Sequence, residues 1–279
     1  MTRGWKRDVR GVFLTVTFYG MWAVPGILFT VFVFGPMLLL ARPFPGVVRG
    51  FRRWVRGFYA AILRGMDIAG ALRIAEVQGL ERLRRGGGCV VIANHRTLLD
   101  VLVLLSLVPE ASCLLKPVKK APGAGGRTTL PAFWMPFITA PFSLLGYVPM
   151  PSTWDDREAL RRTIDRCRDR LSEGRPLIIF PEGTRSPDGH LLPFRDLAFR
   201  LAREGGVPVV PVVLHSDTRF MPHGSVTIHA VRRCTYRLRV LPDIVPGPRS
   251  RSSDLLVEAR HLLQKGTAEY DAKYGYLDE

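Results

Sequence analysis

The sequence predicts an α/β fold in which helices flank a largely parallel sheet, with a membrane-anchoring helical segment at its N-terminal end. Two observations lead to this prediction. Short apolar runs alternate with amphipathic stretches after residue 73, which is typical of parallel α/β domains. Ahead of them, the stretch 11–41 contains no charged residue. Because 47% of the 279 residues are apolar, the chain can bury a full core, and wholesale disorder is excluded.

The individual elements follow from the period of the apolar residues and from turn and cap signals. The expected strands cover 73–78, 89–93, 176–180, 207–214, 226–230 and 236–241. The expected helices cover 97–107, a stretch capped by Thr153 that runs to residue 172, and a stretch capped by Ser253 that runs to residue 263. The second of these helices has one apolar face, made of Leu160, Ile164, Cys167 and Leu171.

The uncharged stretch 11–41 favours a membrane anchor. It is longer than the roughly 20 residues that one upright helix needs to span a bilayer, and longer than the apolar part of a cleaved signal peptide. Pro25 and Pro36 would break or kink a helix here. Both flanks are basic, so the positive-inside rule places both ends on the cytoplasmic side. A hairpin or re-entrant anchor is therefore expected, and a single tilted span is the alternative.

The net charge indicates which partners to expect, and the cysteines indicate the redox compartment. The formal net charge is +16, almost all of it from arginine, which favours anionic partners such as lipid headgroups or nucleic acid. Residues 42–85 interleave arginines with aromatic residues next to the apolar anchor, a combination that suits an anionic membrane surface. The alternatives are an ordinary solvated helix face and an arginine-rich coding bias. The cysteines have neither disulfide nor zinc spacing and are expected to be free thiols in a reducing compartment: Cys89, Cys113, Cys167 and Cys234.

Two short motifs carry the polar residues that suggest chemistry. The first is VVIANHRTLLD, residues 90–100, in which a strand ends at Asn94 and His95 and Asp100 follows five residues later. Within one helix, positions five apart point about 140° from each other. The pair can meet only if His95 lies on the turn before the helix and folds back toward its first turn. Asp100 would then fix the imidazole tautomer and leave the other nitrogen as a base.

The second motif is FPEGTRS, residues 180–186, which directly follows the apolar strand 176–180. A buried strand that ends in a glycine-containing turn can present backbone N–H groups, and Arg185 offers a guanidinium suited to a phosphate. The alternative is a surface turn with an ion pair between Glu182 and Arg185.

Together these motifs resemble the glycerolipid acyltransferase family, typified by bacterial 1-acylglycerol-3-phosphate acyltransferases. Asn94, His95 and Asp100 match its Asn-His-x-x-x-x-Asp motif, and FPEGTRS matches its third motif without change. VPVVPV, residues 207–212, matches its fourth. The resemblance covers residues 73–242. It implies a division into a membrane anchor with a basic amphipathic region, 1–72, and a catalytic domain, 73–279.

The resemblance implies direct acyl transfer from an acyl thioester to a hydroxyl, with no acyl-enzyme. His95 would take the hydroxyl proton, and Asp100 would orient His95. Arg185 would bind the acceptor's phosphate, Glu182 would order the loop or contact the acceptor, and Gly183 would let the backbone approach. The remaining candidates for substrate contacts are Asn94, Thr184, Gly146 and Arg157. The co-substrate would be acyl-CoA or acyl carrier protein, with no metal and no other cofactor.

The second motif of the family departs from its usual pattern, which puts the acceptor in question. Here the stretch is GYVPMPS, 146–152, so an acidic residue and an arginine are replaced by proline and serine. The expected acceptor is 1-acylglycerol-3-phosphate, giving phosphatidic acid. The alternatives are another lysolipid such as a lyso-ornithine lipid, a thioester hydrolase, and a basic membrane protein that binds anionic lipid without catalysis. The expected location is the bacterial inner membrane, with the catalytic domain on the cytoplasmic side and without nucleic acid as a partner.

Overall fold

The computed structural model of the chain describes residues 11–17, 20, 45–108, 110–115, 147–151, 155–218, 220 and 233–275. Residues 11–17 are helical, and most of the predicted membrane anchor, together with Gly146, Thr153 and the expected strand 226–230, lies outside the described residues. Within the part of the chain that is described, no helix is both long and apolar enough to cross a membrane.

The described residues form seven strands and the helices that cover them. The strands are β1 (Leu72–Gln78), β2 (Val90–Ala93), β3 (Ser112–Leu115), β4 (Val148–Pro149), β5 (Leu177–Ile179), β6 (Val209–Ser216) and β7 (Cys234–Val240). The helices with defined bounds are α1 (Pro45–Ile68), α2 (Leu80–Arg84), α3 (Leu99–Leu107), α4 (Arg157–Ser172), α5 (Leu197–Gly205) and α6 (Ser252–Tyr274).

The strands form one sheet in the order β1-β7-β6-β2-β5-β3-β4. Every pair of neighbours is parallel except β6 and β7, which are antiparallel, so β1 and β7 run opposite to the other five strands. The prediction of a largely parallel sheet is thus confirmed. The central strand β2 reads VVIA, and all four of its residues are buried, as expected for a parallel strand covered on both faces.

Alternation of side chains along the strands divides the core into two layers. On one face of the sheet, the first core packs Val91, Ile178 and Tyr236 against apolar residues of α1 and α3. On the other face, the second core packs Ile92 and Leu177 against apolar residues of α4, α5 and α6. The sheet is therefore the middle of three layers.

Helix α1 belongs to this core although it precedes the predicted boundary between 72 and 73. Tyr59, Ile62, Leu63 and Met66 are buried in the first core. The described part of its other side carries exposed arginines and an exposed Trp54, so α1 is amphipathic there.

Several element boundaries correct the expectations from sequence. Helix α4 is capped by Asp156, whose side chain accepts a hydrogen bond of 2.9 Å from the backbone N–H of Ala159, and not by Thr153. Helix α6 continues to Tyr274, eleven residues beyond the expected end, because buried Thr267 and Tyr270 extend its packed face past Gly266. Strand β3 and helix α5 were not expected from the sequence.

Gly266 lets α6 lie close against the sheet. A Cβ atom at this position would be 2.6 Å from Cγ2 of Val213 on β6. The absence of a side chain therefore sets the separation between α6 and β6. This contact fixes the C-terminal helix over the strand next to β2.

Candidate active site

The two motifs meet because β2 and β5 are neighbouring parallel strands. Their carboxyl ends lie at the same edge of the sheet, where ligand sites of α/β folds usually form. β2 leads into Asn94 and His95, and β5 leads into the FPEGTRS loop. The sheet topology thus brings together residues that are 87 positions apart, as the hydrogen bond between His95 and Glu182 shows.

His95 and Asp100 form the predicted pair. Nδ1 of His95 lies 2.8 Å from Oδ2 of Asp100. α3 begins only at Leu99, so His95 is on the preceding turn and folds back to the first turn of the helix, which confirms the expected geometry. The contact uses Nδ1 and leaves Nε2 as the ring nitrogen for proton transfer. Phe180 stacks on the imidazole with ring centroids 4.1 Å apart.

The Asp100 carboxylate is 1% exposed and is surrounded by donors. Oδ2 accepts from the backbone N–H groups of Arg96, at 2.7 Å, and Thr97, at 2.8 Å. Oδ1 accepts from the hydroxyl of Tyr236 at 2.6 Å and that of Thr97 at 3.3 Å. These hydrogen bonds compensate for the burial of the charge and hold the carboxylate in a single orientation toward His95.

Glu182 joins the two loops. Its Oε1 accepts from the backbone N–H of His95 at 2.8 Å, and its Oε2 accepts from the backbone N–H of Leu192 at 2.9 Å. Burial raises the pKa of Glu182 to about 7, against the opposing effect of these two hydrogen bonds. The expectation that Glu182 orders the loop agrees with these contacts.

The main chain of His95 is held on its other side by Ser186. The backbone N–H of Ser186 donates to the carbonyl of His95 at 2.8 Å. Both main-chain polar groups of His95 are therefore bonded to the FPEGTRS loop. The loop fixes the position of the imidazole through the backbone as Asp100 does through the side chain.

Gly183 has a backbone conformation that favours glycine, with φ of +70°. A Cβ atom there would lie 2.9 Å from Nε of Arg195, so the close approach at this glycine is to the Arg195 side chain. Thr184 is exposed and Arg185 is half-buried. Both lie on the loop that holds His95, as expected, and their substrate contacts stay predictions.

The remaining predicted site residues are placed differently. Asn94 is buried, and its side-chain amide exchanges two hydrogen bonds of 2.8 Å with the main chain of Leu214. This pairing ties the end of β2 to β6 and disfavours the substrate contact that we expected. Arg157 is exposed at the first residue of α4, and Gly146 lies outside the described residues.

Two further contributors were not expected from the sequence. Tyr236 reaches Asp100 from β7, and Arg96 connects the catalytic loop to the C-terminal helix. The Arg96 guanidinium makes a bidentate ion pair with Asp271, with distances of 2.7 and 2.6 Å, and its Nε donates to the carbonyl of Gly189. Arg96 could have been noticed in the sequence, because it directly follows His95. Nothing in the sequence near Tyr236 points to a partner 136 residues away.

The other titratable groups near the loops are a buried histidine and the cysteines. Burial lowers the pKa of His215, with the nearby Arg96 charge acting in the same direction. All four cysteines are buried, unpaired thiols, and burial raises the pKa of each to about 12. Among the described residues, there is no group of three or more His, Cys, Asp or Glu side chains able to hold a metal ion.

Comparison with known proteins places this geometry in a family. A family model described as Acyltransferase matches residues 74–215. A chloroplastic 1-acyl-sn-glycerol-3-phosphate acyltransferase of Brassica napus, BAT2, is 32% identical over 190 residues, which are 68% of this chain and 51% of that protein. The chloroplastic enzyme LPAT1 of Arabidopsis thaliana is 31% identical over 218 residues, 78% of this chain and 54% of that protein.

The chain spans about half the length of these two curated relatives. A crystal structure of the 1-acyl-sn-glycerophosphate (LPA) acyltransferase PlsC from Thermotoga maritima matches the fold, with a TM-score of 0.70 and 23% identity over 95% of this chain and 98% of that one. The His95–Asp100 pair and the FPEGTRS loop both fall inside the region that the family model matches. The chain is a member of the glycerolipid acyltransferase family.

Proposed function

We propose that the protein transfers a fatty acyl group from an acyl thioester to the free hydroxyl of 1-acylglycerol-3-phosphate, giving phosphatidic acid. The observation that carries this proposal is the His95–Asp100 contact of 2.8 Å beside the FPEGTRS loop. The names of the relatives support the acceptor. Acyl-CoA and acyl carrier protein are the two donor classes that fit the proposed reaction.

The reaction follows from the orientation of His95. Nε2 accepts the proton of the acceptor hydroxyl while Asp100 stabilises the resulting imidazolium. The hydroxyl oxygen attacks the thioester carbonyl and forms a tetrahedral intermediate. The intermediate collapses, the new oxygen ester forms, and the carbon–sulfur bond breaks. The departing thiolate takes the proton from His95, which restores the neutral imidazole.

Charge at the loop supports an anionic acceptor. Arg185 follows Gly183 and Thr184 on the loop that also holds His95, so a phosphate at Arg185 would lie near the reacting imidazole. A guanidinium binds phosphate through two parallel N–H donors. Arg185 would thus select lysolipids that carry a terminal phosphate over neutral ones.

Helix α1 supports a proposed location at an anionic membrane surface. Arg53, Arg56 and Arg64 are exposed on it, and Trp54 is 48% exposed. Arginines beside an exposed indole are typical of surfaces that lie in the headgroup region. We expect the protein to act at the cytoplasmic face of the bacterial inner membrane, where lipid acceptors are delivered.

A transfer assay tests the function. Membranes that contain the protein receive labelled acyl-CoA or acyl carrier protein together with a panel of lysolipids, and the products are separated. Conversion of 1-acylglycerol-3-phosphate to phosphatidic acid is expected, and the His95→Ala variant should lose it. Arg185→Lys should raise KM for this acceptor more than it lowers kcat. Transfer only to a different lysolipid, or release of free fatty acid without any acceptor, would contradict the proposal.

The membrane location has its own test. The full chain should sediment with vesicles that contain anionic lipid and much less with vesicles of phosphatidylcholine alone. Replacing Arg53, Arg56 and Arg64 by glutamine should weaken the anionic-lipid dependence while the fold is retained. Equal binding to both kinds of vesicle would contradict an electrostatic contribution from α1.

A further inference from the structure

Tyr236 lies on the second strand from one edge of the sheet, and its side chain reaches the His95–Asp100 pair. It is on β7, which runs opposite to β6 and pairs its Tyr236 with Ser216 at the carboxyl end of that strand. The alternation along β7 points Tyr236 into the first core, where the side chain is fully buried. Its hydroxyl donates a hydrogen bond of 2.6 Å to Oδ1 of Asp100. The reversed direction of β7 thus delivers a phenol to the first turn of α3.

The two oxygens of Asp100 have different surroundings. Oδ2 contacts His95 and two backbone N–H groups, all of which belong to the loop itself. Oδ1 has the Tyr236 hydroxyl as its short partner and the Thr97 hydroxyl at 3.3 Å. The Tyr236 hydroxyl therefore makes the shorter of the two hydrogen bonds to Oδ1, and it comes from outside the loop. Burial, followed by the charge of Asp100, raises the pKa of Tyr236, so the phenol stays protonated and remains a donor.

A donor at this place has an electrostatic consequence. Each hydrogen bond to a carboxylate draws charge from the oxygens and weakens their attraction for a neighbouring cation. The strength of that attraction decides how readily His95 holds a proton. We propose that Tyr236 is a positioning residue for acyl transfer, which orients the Asp100 carboxylate toward His95 and lowers the proton affinity of the imidazole. This inference rests on the proposed function only for its effect on rate.

Charged or titratable groups from several elements face the His95–Asp100 pair. Arg96 is a cation on one loop, Glu182 is a carboxyl group on the other loop whose pKa is raised to about 7, and Cys234 lies two residues before Tyr236 on β7. Burial raises the pKa of Cys234 to about 12, so it is a neutral thiol. Because Tyr236→Phe changes none of these groups, a shift in the titration of His95 is assigned to the lost hydroxyl.

The first measurement needs no substrate. The full chain in detergent is labelled on histidine, and the imidazole signals of wild type and Tyr236→Phe are followed by NMR against pH, with His95→Gln for assignment. The pKa of His95 should rise by about half a unit to one unit in Tyr236→Phe, the size expected for one lost hydrogen bond near a charge. Tyr59→Phe is the matched control, because its buried hydroxyl in the same core contacts Tyr147. This control should leave His95 unchanged.

The second measurement is the pH profile of acyl transfer. The acidic limb of kcat/KM should move to higher pH in Tyr236→Phe, with kcat about tenfold lower and KM for the acceptor changed less than twofold. Site-specific replacement of Tyr236 by 3-fluorotyrosine makes the phenol a stronger donor, so the limb and the pKa of His95 should move to lower pH. The opposite signs of the two replacements separate an electrostatic effect from a general loss of fold.

The outcomes are distinct for the two proposals. A His95 titration that is unchanged in both Tyr236 variants would overturn the inference, even if Tyr236→Phe lowers the melting temperature as Tyr59→Phe does. Opposite shifts in the two variants would support it. If wild type transfers no acyl group to any lysolipid, the proposed function fails, and the NMR titration still decides the role of Tyr236.

Discussion

The backbone N–H of His95 donates a hydrogen bond of 2.8 Å to the carboxylate of Glu182. The FPEGTRS loop therefore holds the first motif at His95, the residue whose side chain is the proposed base. The other oxygen of Glu182 accepts from the backbone N–H of Leu192. Both oxygens of the side chain are therefore used as acceptors. This relationship makes Glu182 a structural link of the site, separate from any contact with the acceptor.

We expect Glu182→Gln to lower kcat about tenfold to a hundredfold, because a misplaced His95 loses much of its contribution as a base. The amide presents one oxygen and one NH₂ group, so one backbone N–H faces a donor in place of an acceptor. Steady-state transfer with saturating acceptor measures the effect. Glu173→Gln, at an exposed position after α4, is the control and should retain wild-type kcat. Wild-type kcat in Glu182→Gln would contradict the proposed link.

The pKa of Glu182 also predicts a pH dependence of stability. In the folded chain this pKa is raised from 4.5 to about 7, so the folded state keeps a proton that the unfolded state has lost between these values. The contribution of Glu182 to the free energy of unfolding therefore falls as pH rises through this window, by up to about 3 kcal/mol. Urea unfolding in detergent at pH 5 and pH 8 measures it.

Comparison with Glu182→Gln isolates this contribution. His215 has a lowered pKa and acts with the opposite sign, but it is present in both proteins and cancels in the difference. The free energy of unfolding of Glu182→Gln minus that of wild type should therefore be larger at pH 8 than at pH 5. A difference that does not change with pH would show that Glu182 has an ordinary pKa.

Removal of the Asp100 charge should abolish most of the activity without unfolding the chain. Asp100→Asn keeps the volume, but its NH₂ group must face a donor, and the imidazolium loses its counter-charge. We expect kcat to fall by about 10²–10⁴, the range that general base catalysis supplies. Kinetics measures the loss of activity, and circular dichroism on the same preparation shows whether the fold is retained. Activity within twofold of wild type would remove Asp100 from the mechanism.

The ion pair between Arg96 and Asp271 should contribute to stability. The Arg96 side chain is 5% exposed, and Asp271→Ala leaves its guanidinium without its bidentate partner. Because Arg96 is buried but Asp271 is 31% exposed, we expect this loss to lower the free energy of unfolding by about 2 kcal/mol, between the values for surface and buried pairs. Glu269→Ala is the control on the same helix, because its ion pair with Arg239 is more exposed and should matter little. Equal effects of the two variants, by urea unfolding, would argue against this ranking.

The close contact at Gly266 predicts that the effect of Gly266→Ala on stability depends on the side chain at position 213. Alanine would raise intrinsic helix propensity by about 1 kcal/mol, but its Cβ would lie 2.6 Å from Val213. Overpacking of this kind lowers stability by about 1–3 kcal/mol. Gly266→Ala should therefore destabilise the chain alone and much less when combined with Val213→Ala. A double-mutant cycle from thermal unfolding gives the coupling, and simple additivity would contradict the contact.

The sequence was a good guide where function and local structure coincide. Spacing and helix angles predicted how His95 and Asp100 would have to meet, and the resemblance to the family indicated that they form a pair. These inferences depend on few residues, all of them close along the chain.

The missed features depend on contacts that are distant along the chain. Strand β3 (Ser112–Leu115) is only four residues long, and its identity comes from pairing with β4 and β5. Helix α5 is different, because its nine residues have an apolar face with a helical period, so its signal was present in the sequence. Tyr236 sits at an ordinary inward position of an alternating strand, and only the reversal of β7 turns that position into a partner for Asp100.

The reversed strand β7 and helix α6 also bear on how the protein is made. Tyr236 and Asp271, which brace the two motifs, both follow them along the chain and therefore leave the ribosome after them. A nascent chain that has exposed only the motifs holds the reactive side chains without their supports. Catalytic competence should thus appear only after α6 has emerged, and fragments that stop before β7 should contain the signature residues of the family without an assembled active site.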